Sequence, residues 1–258
     1  MHRILTSAEL DTIRDQIDRD QHFLYYSYLT VRRPNTVHYG QFSDDGALLG
    51  VKAYLTGLPF YAFSIYPILE TFCLRKMQAF MRAQLQLPDQ AAGNSIINEA
   101  ELTILASQLD LLRRPRKILL MKHLHQQALP PVDPQVVQLD ASYYERIAAK
   151  MAVMQTMAFT EDELRYPFLG IIRQDELIAV GGYHIYTEDC VELGNIGTDA
   201  AWRRQGYGRK LCAELTRRGR AVSRSVYLNV FADNSGAIQL YHSLGFEVVC
   251  TQYMIEFL

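Results

Sequence analysis

Residues 196–211 have the sequence IGTDAAWRRQGYGRKL, in which a predicted strand is followed by a loop and an amphipathic helix. Two glycines, Gly206 and Gly208, let the backbone turn tightly and bring successive N–H groups near an anion. The first turn of the helix adds unpaired N–H groups and a positive dipole end. Four cations lie beside them: Arg203, Arg204, Arg209 and Lys210. The segment is a candidate pyrophosphate-binding loop, but a glycine-rich turn with solvated cations would have the same composition.

The sequence around this loop predicts the fold of the second half of the chain. Apolar alternation and turn residues predict strands at 135–139, 168–173, 176–186, 190–198, 225–231 and 246–257, the last as one or two strands. Helical spacing predicts helices at 142–153, from the loop to about 221, and at 235–243. The links between the three strands from 168 to 198 are too short for crossover helices, so these strands form an antiparallel meander. The expected fold class is α/β, with a mixed, mostly antiparallel central sheet flanked by helices.

The first half of the chain has a similar order of elements. Its candidate strands are 37–42, 47–55, 60–66, 95–97 and 117–122, and its candidate helices are 7–19, 21–29, 70–86 and 99–112. Between the halves, residues 128–134 (ALPPVDP) contain three prolines, which neither a helix nor a central strand tolerates. We therefore expect an N-terminal domain at 1–127, a linker at 128–134 and a second domain at 135–258. The repeated order indicates two such folds in tandem, with coincidence as the alternative.

A second motif supports the loop. Residues 227–246 have the sequence YLNVFADNSGAIQLYHSLGF, which contains Asn234, Ala237, Leu240, Tyr241, Gly245 and Phe246. Here the chain resembles the GNAT superfamily of acyl-CoA-dependent N-acyltransferases. That family has R/Q-x-x-G-x-G/A in its pyrophosphate loop and N-x-x-A-x-x-L-Y-x-x-x-G-F downstream, and every defined position is matched. The resemblance covers about 135–258, and it departs from many relatives at Ala200 and Arg204. The first half has no comparable glycine-rich loop, so we expect a degenerate copy that binds no CoA.

The resemblance implies an N-acetyltransferase, an acyltransferase that transfers groups other than aminoacyl groups. It would move an acetyl group from acetyl-CoA to a primary amine by direct attack in a ternary complex. Backbone groups of Ile196, Gly197 and Thr198 would pair with the pantetheine arm, and Asn234 would contact the same arm. The pyrophosphate would be bound by the loop residues Arg203, Arg204, Gln205, Gly206, Tyr207, Gly208 and Arg209. Tyr241 would protonate the departing thiolate.

The chemistry also asks for an acid and a base. An alkyl amine with a pKa of about 10 is mostly protonated at neutral pH, so its proton must be removed. Glu192 is the candidate base, acting through a water; it could instead face solvent or pair with an arginine. Tyr241 is protonated at neutral pH and can act as the acid; it could instead be a core tyrosine at helical spacing from Ala237. The acceptor pocket has six candidate lining residues that could equally be core: Met154, Thr156, Phe159, Tyr183, His184 and Tyr186.

The composition excludes several classes of protein. The 258 residues carry 26 Lys+Arg and 28 Asp+Glu, which argues against a broad nucleic-acid-binding surface. Four separated cysteines and no ligand spacing indicate free thiols, no metal and a reducing compartment. The most apolar stretch, 57–69, is too short for a membrane span, and the first residues lack a signal peptide's apolar region. We expect a cytoplasmic protein without nucleic-acid or membrane partners.

The partners of the predicted enzyme remain open. The acceptor is a small-molecule or peptide amine, and the sequence does not separate a peptide amine from an amino acid, a polyamine or an aminoglycoside. The aromatic-rich first half could serve dimerisation, so a homodimer is left open. The alternative function is a non-catalytic acyl-CoA-binding sensor or scaffold, which would need neither Tyr241 nor Glu192.

Overall fold

A computed structural model describes residues 1–88, 90–154 and 159–258. The chain forms two compact units. Unit 1 contains Met1–Leu119 and Cys250–Leu258, and unit 2 contains Leu120–Val249. The proline-rich segment 128–134 therefore lies in unit 2, and the expected domain division stays a prediction. Among the described residues, no helix combines the length and the apolar character that a membrane span requires.

Unit 1 is a mixed sheet with helices. Its elements are β1 (His2–Ile4), α1 (Ser7–Gln16), α2 (Phe23–Leu29), β2 (Thr36–Phe42), β3 (Leu48–Leu55), β4 (Tyr61–Pro67), α3 (Leu74–Leu85), β5 (Gly93–Asn98), α4 (Glu99–Leu105) and the first residues of β6 (Arg116–His123). The neighbouring strands from β1 to β4 are antiparallel, and β4 and β5 are parallel. The last strand of the chain, β12 (Phe246–Phe257), pairs antiparallel with β5 through Gln252–Phe257. Unit 1 thus depends on a strand that lies more than 150 residues away in the sequence.

The two faces of β3 pack against different sets of side chains. Val51, Ala53 and Leu55 belong to the apolar cluster that includes buried residues of α1 and α2. Because strand side chains alternate, Lys52 points to the opposite face, where its Nζ lies over the rings of Phe63 and Phe257. A lysine is therefore buried in the core of unit 1, with 2% of its surface exposed.

Unit 2 has the same order of strand directions. Its elements are β7 (Val136–Leu139), α5 (Tyr144–Met154), β8 (Phe168–Arg173), β9 (Glu176–Tyr186), β10 (Val191–Thr198), α6 (Tyr207–Val222), β11 (Val226–Phe231) and α7 (Ser235–Ser243). The strands from β7 to β10 are antiparallel neighbours, and β10 and β11 are parallel. Beyond β11 follow the residues of β6 and β12 that belong to this unit. The expected fold class, a mixed α/β fold with a mostly antiparallel sheet, is confirmed.

Short 3-10 helices complete the described structure. They are Arg33–Asn35, Gln126–Ala128, Ala141–Tyr143, Glu161–Arg165 and Ala200–Trp202. The largest difference from the predicted elements is in α4, which ends at Leu105 although helical spacing continues to 112. Residues 110–112 are instead taken by β12: the Leu112 N–H donates to the Glu256 carbonyl at 2.9 Å, and the Leu258 N–H donates to the Asp110 carbonyl at 3.1 Å. Tertiary pairing thus overrides the local helical pattern.

Candidate active site

The parallel pairing of β10 with β11 in unit 2 ends part-way along both strands. The two strands pair in parallel register from Val191–Leu193 to Val226–Leu228. Beyond that point, β10 continues its register with β9 as far as Thr198, whereas among these described residues it has no register with β11. A β-bulge between Gly194 and Gly197 coincides with the separation, and bulges bend strands and increase their twist. We call the space between 194–198 and 229–231 the opening.

The three predicted backbone contacts lie along one edge of the opening. Gly197 pairs with Val180 and Thr198 with Ala179 on β9, so the other edge of β10 faces the opening. Ile196, Gly197 and Thr198 are all partly exposed. A side chain at Gly197 would clash, because an added Cβ would lie 2.1 Å from Met154 Sδ. The peptide groups here are thus in place to pair with an extended ligand as an added strand would.

The candidate loop follows β10 and leads into α6. Arg204 and Gly206 have positive φ angles of 63° and 84°, so the loop turns through two left-handed residues. Gly206 is the N-cap of α6 and provides no side-chain cap, and nothing lies within 4 Å of the position its Cβ would take. The first intrahelical hydrogen bond is donated by Lys210 N–H to the Gly206 carbonyl at 3.1 Å. The N–H groups of Tyr207, Gly208 and Arg209 therefore precede the helical ladder and are available to an anion.

The polar and charged side chains of the loop have different partners. Arg203 Nε donates to the Thr198 carbonyl at 3.1 Å, which ties the loop to the end of β10. Arg209 Nε donates to Ser243 Oγ at 3.4 Å, and Gln205 Nε2 donates to the Ala201 carbonyl at 3.2 Å. Lys210 is paired with a carboxylate, because its Nζ lies 2.9 Å from Asp133 Oδ2. The positive charge at the loop thus comes from the arginines rather than from Lys210.

Helix α7 carries the two predicted residues of the second motif. Asn234 is its N-cap, and its Oδ1 accepts a hydrogen bond from Ala237 N–H at 3.2 Å. Tyr241 is partly buried and packs edge-to-face on Phe246, with ring centroids 6.0 Å apart. Burial raises the pKa of the Tyr241 hydroxyl well above its ordinary value of 10, and the neighbouring Cys212 thiol adds to this effect. Tyr241 is therefore protonated at neutral pH and able to donate a proton.

Glu192 is neither solvent-facing nor paired with an arginine among the described residues. It is 7% exposed, and its Oε1 accepts a hydrogen bond from Asn229 Nδ2 at 3.0 Å. Asn229 is the first residue of β11 beyond the parallel register, so this bond joins the two strands where the opening begins. Asn229 Oδ1 is buried without a hydrogen-bond partner in the described structure. A carboxylate and an unsatisfied amide oxygen thus lie together at the start of the opening.

A further polar cluster lies on β9, β10 and the 3-10 helix at 161–165. Glu163 accepts a hydrogen bond from Asn195 Nδ2 at 2.6 Å through Oε2, and its Oε1 lies 2.9 Å from His184 Nδ1. Sequence reasoning missed Glu163 and Asn195. An asparagine tolerates a positive φ, which is 56° at Asn195, but nothing in its local sequence signals the bulge.

The other residues predicted to line the acceptor pocket have different surroundings. Tyr183 is fully buried and donates through its hydroxyl to the Leu215 carbonyl at 2.9 Å, so it is a core residue. Phe159 packs edge-to-face on buried Phe168, and Tyr186 packs on Tyr183. Thr156 lies outside the described residues. Within the described part of the chain, no group of three or more His, Cys, Asp or Glu side chains could hold a metal ion.

The strand edge at 196–198 and the loop that follows it have the geometry that suits an extended, phosphate-bearing ligand. Comparison with known proteins gives the family of this part of the chain. Residues 132–246 match the model of the Acetyltransferase (GNAT) family. This part of the chain is a GNAT-family domain, and the family and fold support acyl transfer as the class of reaction.

Two solved structures are similar over nearly the whole chain. A GCN5-related N-acetyltransferase from Sphaerobacter thermophilus is 15% identical, with a TM-score of 0.69, and the match covers 99% of this chain and 94% of that one. A tandem GNAT protein from the clavulanic acid biosynthesis pathway is 11% identical, with a TM-score of 0.64, and the match covers 99% and 97%. At these identities the likeness concerns the fold, and it confirms the expected tandem GNAT-like architecture.

One curated relative matches a short part of the sequence. An uncharacterised protein of Mycobacterium leprae is 46% identical over 56 residues, which are 22% of this chain. The matched stretch spans only 15% of that relative's length. It supports no statement about the activity of the whole protein.

Proposed function

We propose that unit 2 is an N-acetyltransferase that moves an acetyl group from acetyl-CoA to a primary amine by direct attack in a ternary complex. The observation that carries the proposal is the opening between β10 and β11, which leads directly to a loop of unpaired N–H groups and arginines at the start of α6. Bound acetyl-CoA would supply an activated thioester. No covalent enzyme intermediate is needed, because proximity lets the amine attack directly.

The residues at the site fit this donor. The free edge of Ile196, Gly197 and Thr198 would pair with the pantetheine arm, and Asn234 would contact the arm through its Nδ2. The pyrophosphate would lie on the loop from Arg203 to Arg209. Three features support this assignment: the left-handed Gly206, the open space where its Cβ would be, and the unpaired N–H groups behind it. These groups suit an anion, because backbone N–H groups and a helix dipole both favour negative charge.

Two side chains would move the protons. Glu192, bound to Asn229 at the start of the opening, would take the proton from the attacking amine through a water. Tyr241 would give its hydroxyl proton to the departing thiolate, and its raised pKa keeps that proton in place until the reaction. The two groups would thus act on the nucleophile and on the leaving group.

Unit 1 differs from unit 2 in the segment between β4 and α3, which corresponds to the loop between β10 and α6. Residues 68–73 (ILETFC), between β4 and α3, contain no glycine and include the acidic Glu70. The first N–H groups there are already bonded: Cys73 N–H donates to Gln41 Oε1 at 2.6 Å, and Leu74 N–H donates to Gln108 Oε1 at 2.8 Å. The protein's own amides thus fill the position an anion would take. These contacts support the proposal that unit 1 binds no CoA and that the donor binds to unit 2.

The test is thiol release from acetyl-CoA with a panel of amines. We expect wild-type turnover, and we expect Tyr241→Phe to lower kcat by about 10²-fold or more while the Kd of acetyl-CoA changes less than twofold. Tyr253→Phe, the same change in unit 1, serves as the control and should leave both values unchanged. Tight acetyl-CoA binding without thiol release across the panel would instead favour a sensor or scaffold. Unchanged turnover in Tyr241→Phe would refute the acid role.

A further inference from the structure

We infer that Glu163, His184 and Asn195 form the acceptor subsite of unit 2, and that this subsite takes a positively charged primary amine with no carboxylate beside it. The inference rests on the proposed acyl transfer and adds the class of acceptor, which the sequence leaves open. It rests on three observations: the hydrogen-bonded cluster, its place on the sheet, and its charge.

The cluster contains an acceptor atom that the protein does not satisfy. Asn195 is 4% exposed, and its Nδ2 donates to Glu163, but its Oδ1 is buried with no hydrogen-bond partner among the described residues. Leaving such an atom unpaired costs about 1–3 kcal/mol. A ligand that donates a hydrogen bond would remove this cost. The required donor lies beside a carboxylate, since the same amide group is bound to Glu163 Oε2.

The cluster lies on the same face of the sheet as Glu192. Val191 lies against Gly219 of α6, so its neighbour Glu192 faces away from α6. Tyr183 reaches Leu215 of α6, so its neighbour Gly182 and the paired Gly194 also face away from α6. The His184 ring covers this face, because a Cβ on Gly194 would lie 2.1 Å from its Cδ2. The opposite face packs against α6, where the Tyr183 hydroxyl reaches the Leu215 carbonyl. The cluster therefore lies beside the start of the opening rather than in the core under α6.

The charge of this face favours a cation. Glu163 and Glu192 are 9% and 7% exposed, and their described partners are an imidazole and two amides rather than lysine or arginine. A buried carboxylate is expensive unless an opposite charge compensates it. An ammonium group offers that charge and three N–H donors, which match the carboxylate and Asn195 Oδ1. A carboxylate next to the amine would be repelled, so a peptide N-terminus or an alkyl amine fits and a free amino acid does not.

The experiment compares leucinamide with leucine, in which a neutral carboxamide and a carboxylate stand beside the same amine. Because the carboxylate also raises the pKa of the amine, rates are expressed per free amine. With saturating acetyl-CoA, we expect kcat/KM at least tenfold higher for leucinamide. Glu163→Gln should raise the KM for leucinamide about tenfold and leave the KM for acetyl-CoA unchanged. Glu161→Gln makes the same change at an exposed position of the same 3-10 helix and should have no effect. Glu163→Asp keeps the charge and should recover part of the loss, which a purely structural role would not predict.

A second measurement does not depend on turnover. The ring resonances of His184 are followed by NMR in histidine-labelled protein, titrated with leucinamide, leucine and butylamine. We expect the two amines without a carboxylate to shift His184, leucine to leave it unmoved, and Glu163→Gln to abolish the response. A shift of the His184 resonances without thiol release would uphold the subsite and refute the acyl transfer. Thiol release with an unmoved His184 and an unchanged Glu163→Gln variant would uphold the transfer and overturn the subsite.

Discussion

Replacing Lys52 with methionine should stabilise unit 1. Lys52 lies in the core, and burial lowers its pKa from 10.5 to about 7, with a further contribution from the charge of Arg82. Methionine keeps the unbranched shape of the side chain and removes the charge. The ammonium Nζ is 4.3 Å from the ring centroid of Phe63 and 5.0 Å from that of Phe257, so two cation–π contacts oppose the burial penalty.

The expected change in the free energy of unfolding of unit 1 follows from these opposing effects. A pKa that falls from 10.5 to about 7 corresponds to about 5 kcal/mol of destabilisation when the lysine is charged. Two desolvated cation–π contacts return about 2–4 kcal/mol. We therefore expect Lys52→Met to raise the free energy of unfolding of unit 1 by about 1–3 kcal/mol at pH 6.

The stability of unit 1 should change with pH in a definite direction. Because the unfolded lysine binds its proton up to a pKa of 10.5 and the folded one only up to about 7, wild-type unit 1 gains stability as the pH rises between these values. Below pH 7 the full penalty is present, and above 10.5 it is absent. The advantage of Lys52→Met should therefore shrink as the pH rises above 7.

The assay must report on unit 1 alone. The single tryptophan, Trp202, belongs to unit 2, so its fluorescence is not a direct probe of unit 1. Hydrogen exchange of the β3 amides, corrected for the intrinsic rates at each pH, gives the local free energy of opening. Lys76→Met, an exposed lysine on α3, is the matched control and should change little. Faster β3 exchange in Lys52→Met at pH 6 would refute the reasoning, because the cation–π contacts would then outweigh desolvation.

Two further predictions concern the base and the last strand. Glu192→Gln should lower the rate of thiol release at neutral pH and recover part of it as the pH rises and free amine accumulates; a pH profile identical to wild type would count against Glu192 as the base. Deletion of 250–258 removes the partner of β5 and the buried side chains Ile255 and Phe257, whose burial contributes about 2–3 kcal/mol each. Limited proteolysis with mass spectrometry should then show cleavage throughout 1–119, and unchanged protection of that segment would contradict this prediction.

The elements of unit 2 were readable from the sequence because their signals are local. β8, β9 and α7 have the predicted bounds of 168–173, 176–186 and 235–243. Alternating β-branched residues, tight turns and a capping asparagine each act within a few residues, so they do not depend on the rest of the chain. Gly206 of the candidate loop belongs to the same group, since a left-handed turn calls for a residue that adopts it at little cost.

In unit 1, the sequence patterns predict α4 beyond its observed end and do not predict β1. Helical spacing after residue 99 continued past Leu105, where the chain leaves the helix and bonds to β12. β1 has only three residues, and it exists because His2, Arg3 and Ile4 pair with β2. Neither outcome is encoded by the neighbouring residues alone, because both depend on hydrogen bonds to distant backbone.

The residues of the candidate site also differ in whether the sequence alone could identify them. The loop, Asn234, Tyr241 and Glu192 could be named from spacing and chemistry, and their roles stay predictions. The Glu163–His184–Asn195 cluster could not be named, because its members come from three separate elements and meet through a bulge. The amide of Asn195 reaches Glu163 from a left-handed residue, a conformation that follows from the strand register and not from the asparagine itself.

The sequence by itself thus determined the order of strands and helices in unit 2, the position of the candidate pyrophosphate loop and the resemblance of about 135–258 to the GNAT superfamily. Only the tertiary structure decided that the last strand completes the sheet of unit 1, and that β10 separates from β11 at a bulge. The physical reason is that a strand's pattern of apolar residues specifies which of its faces is buried, whereas its partner is selected by packing and backbone hydrogen bonds across the whole chain.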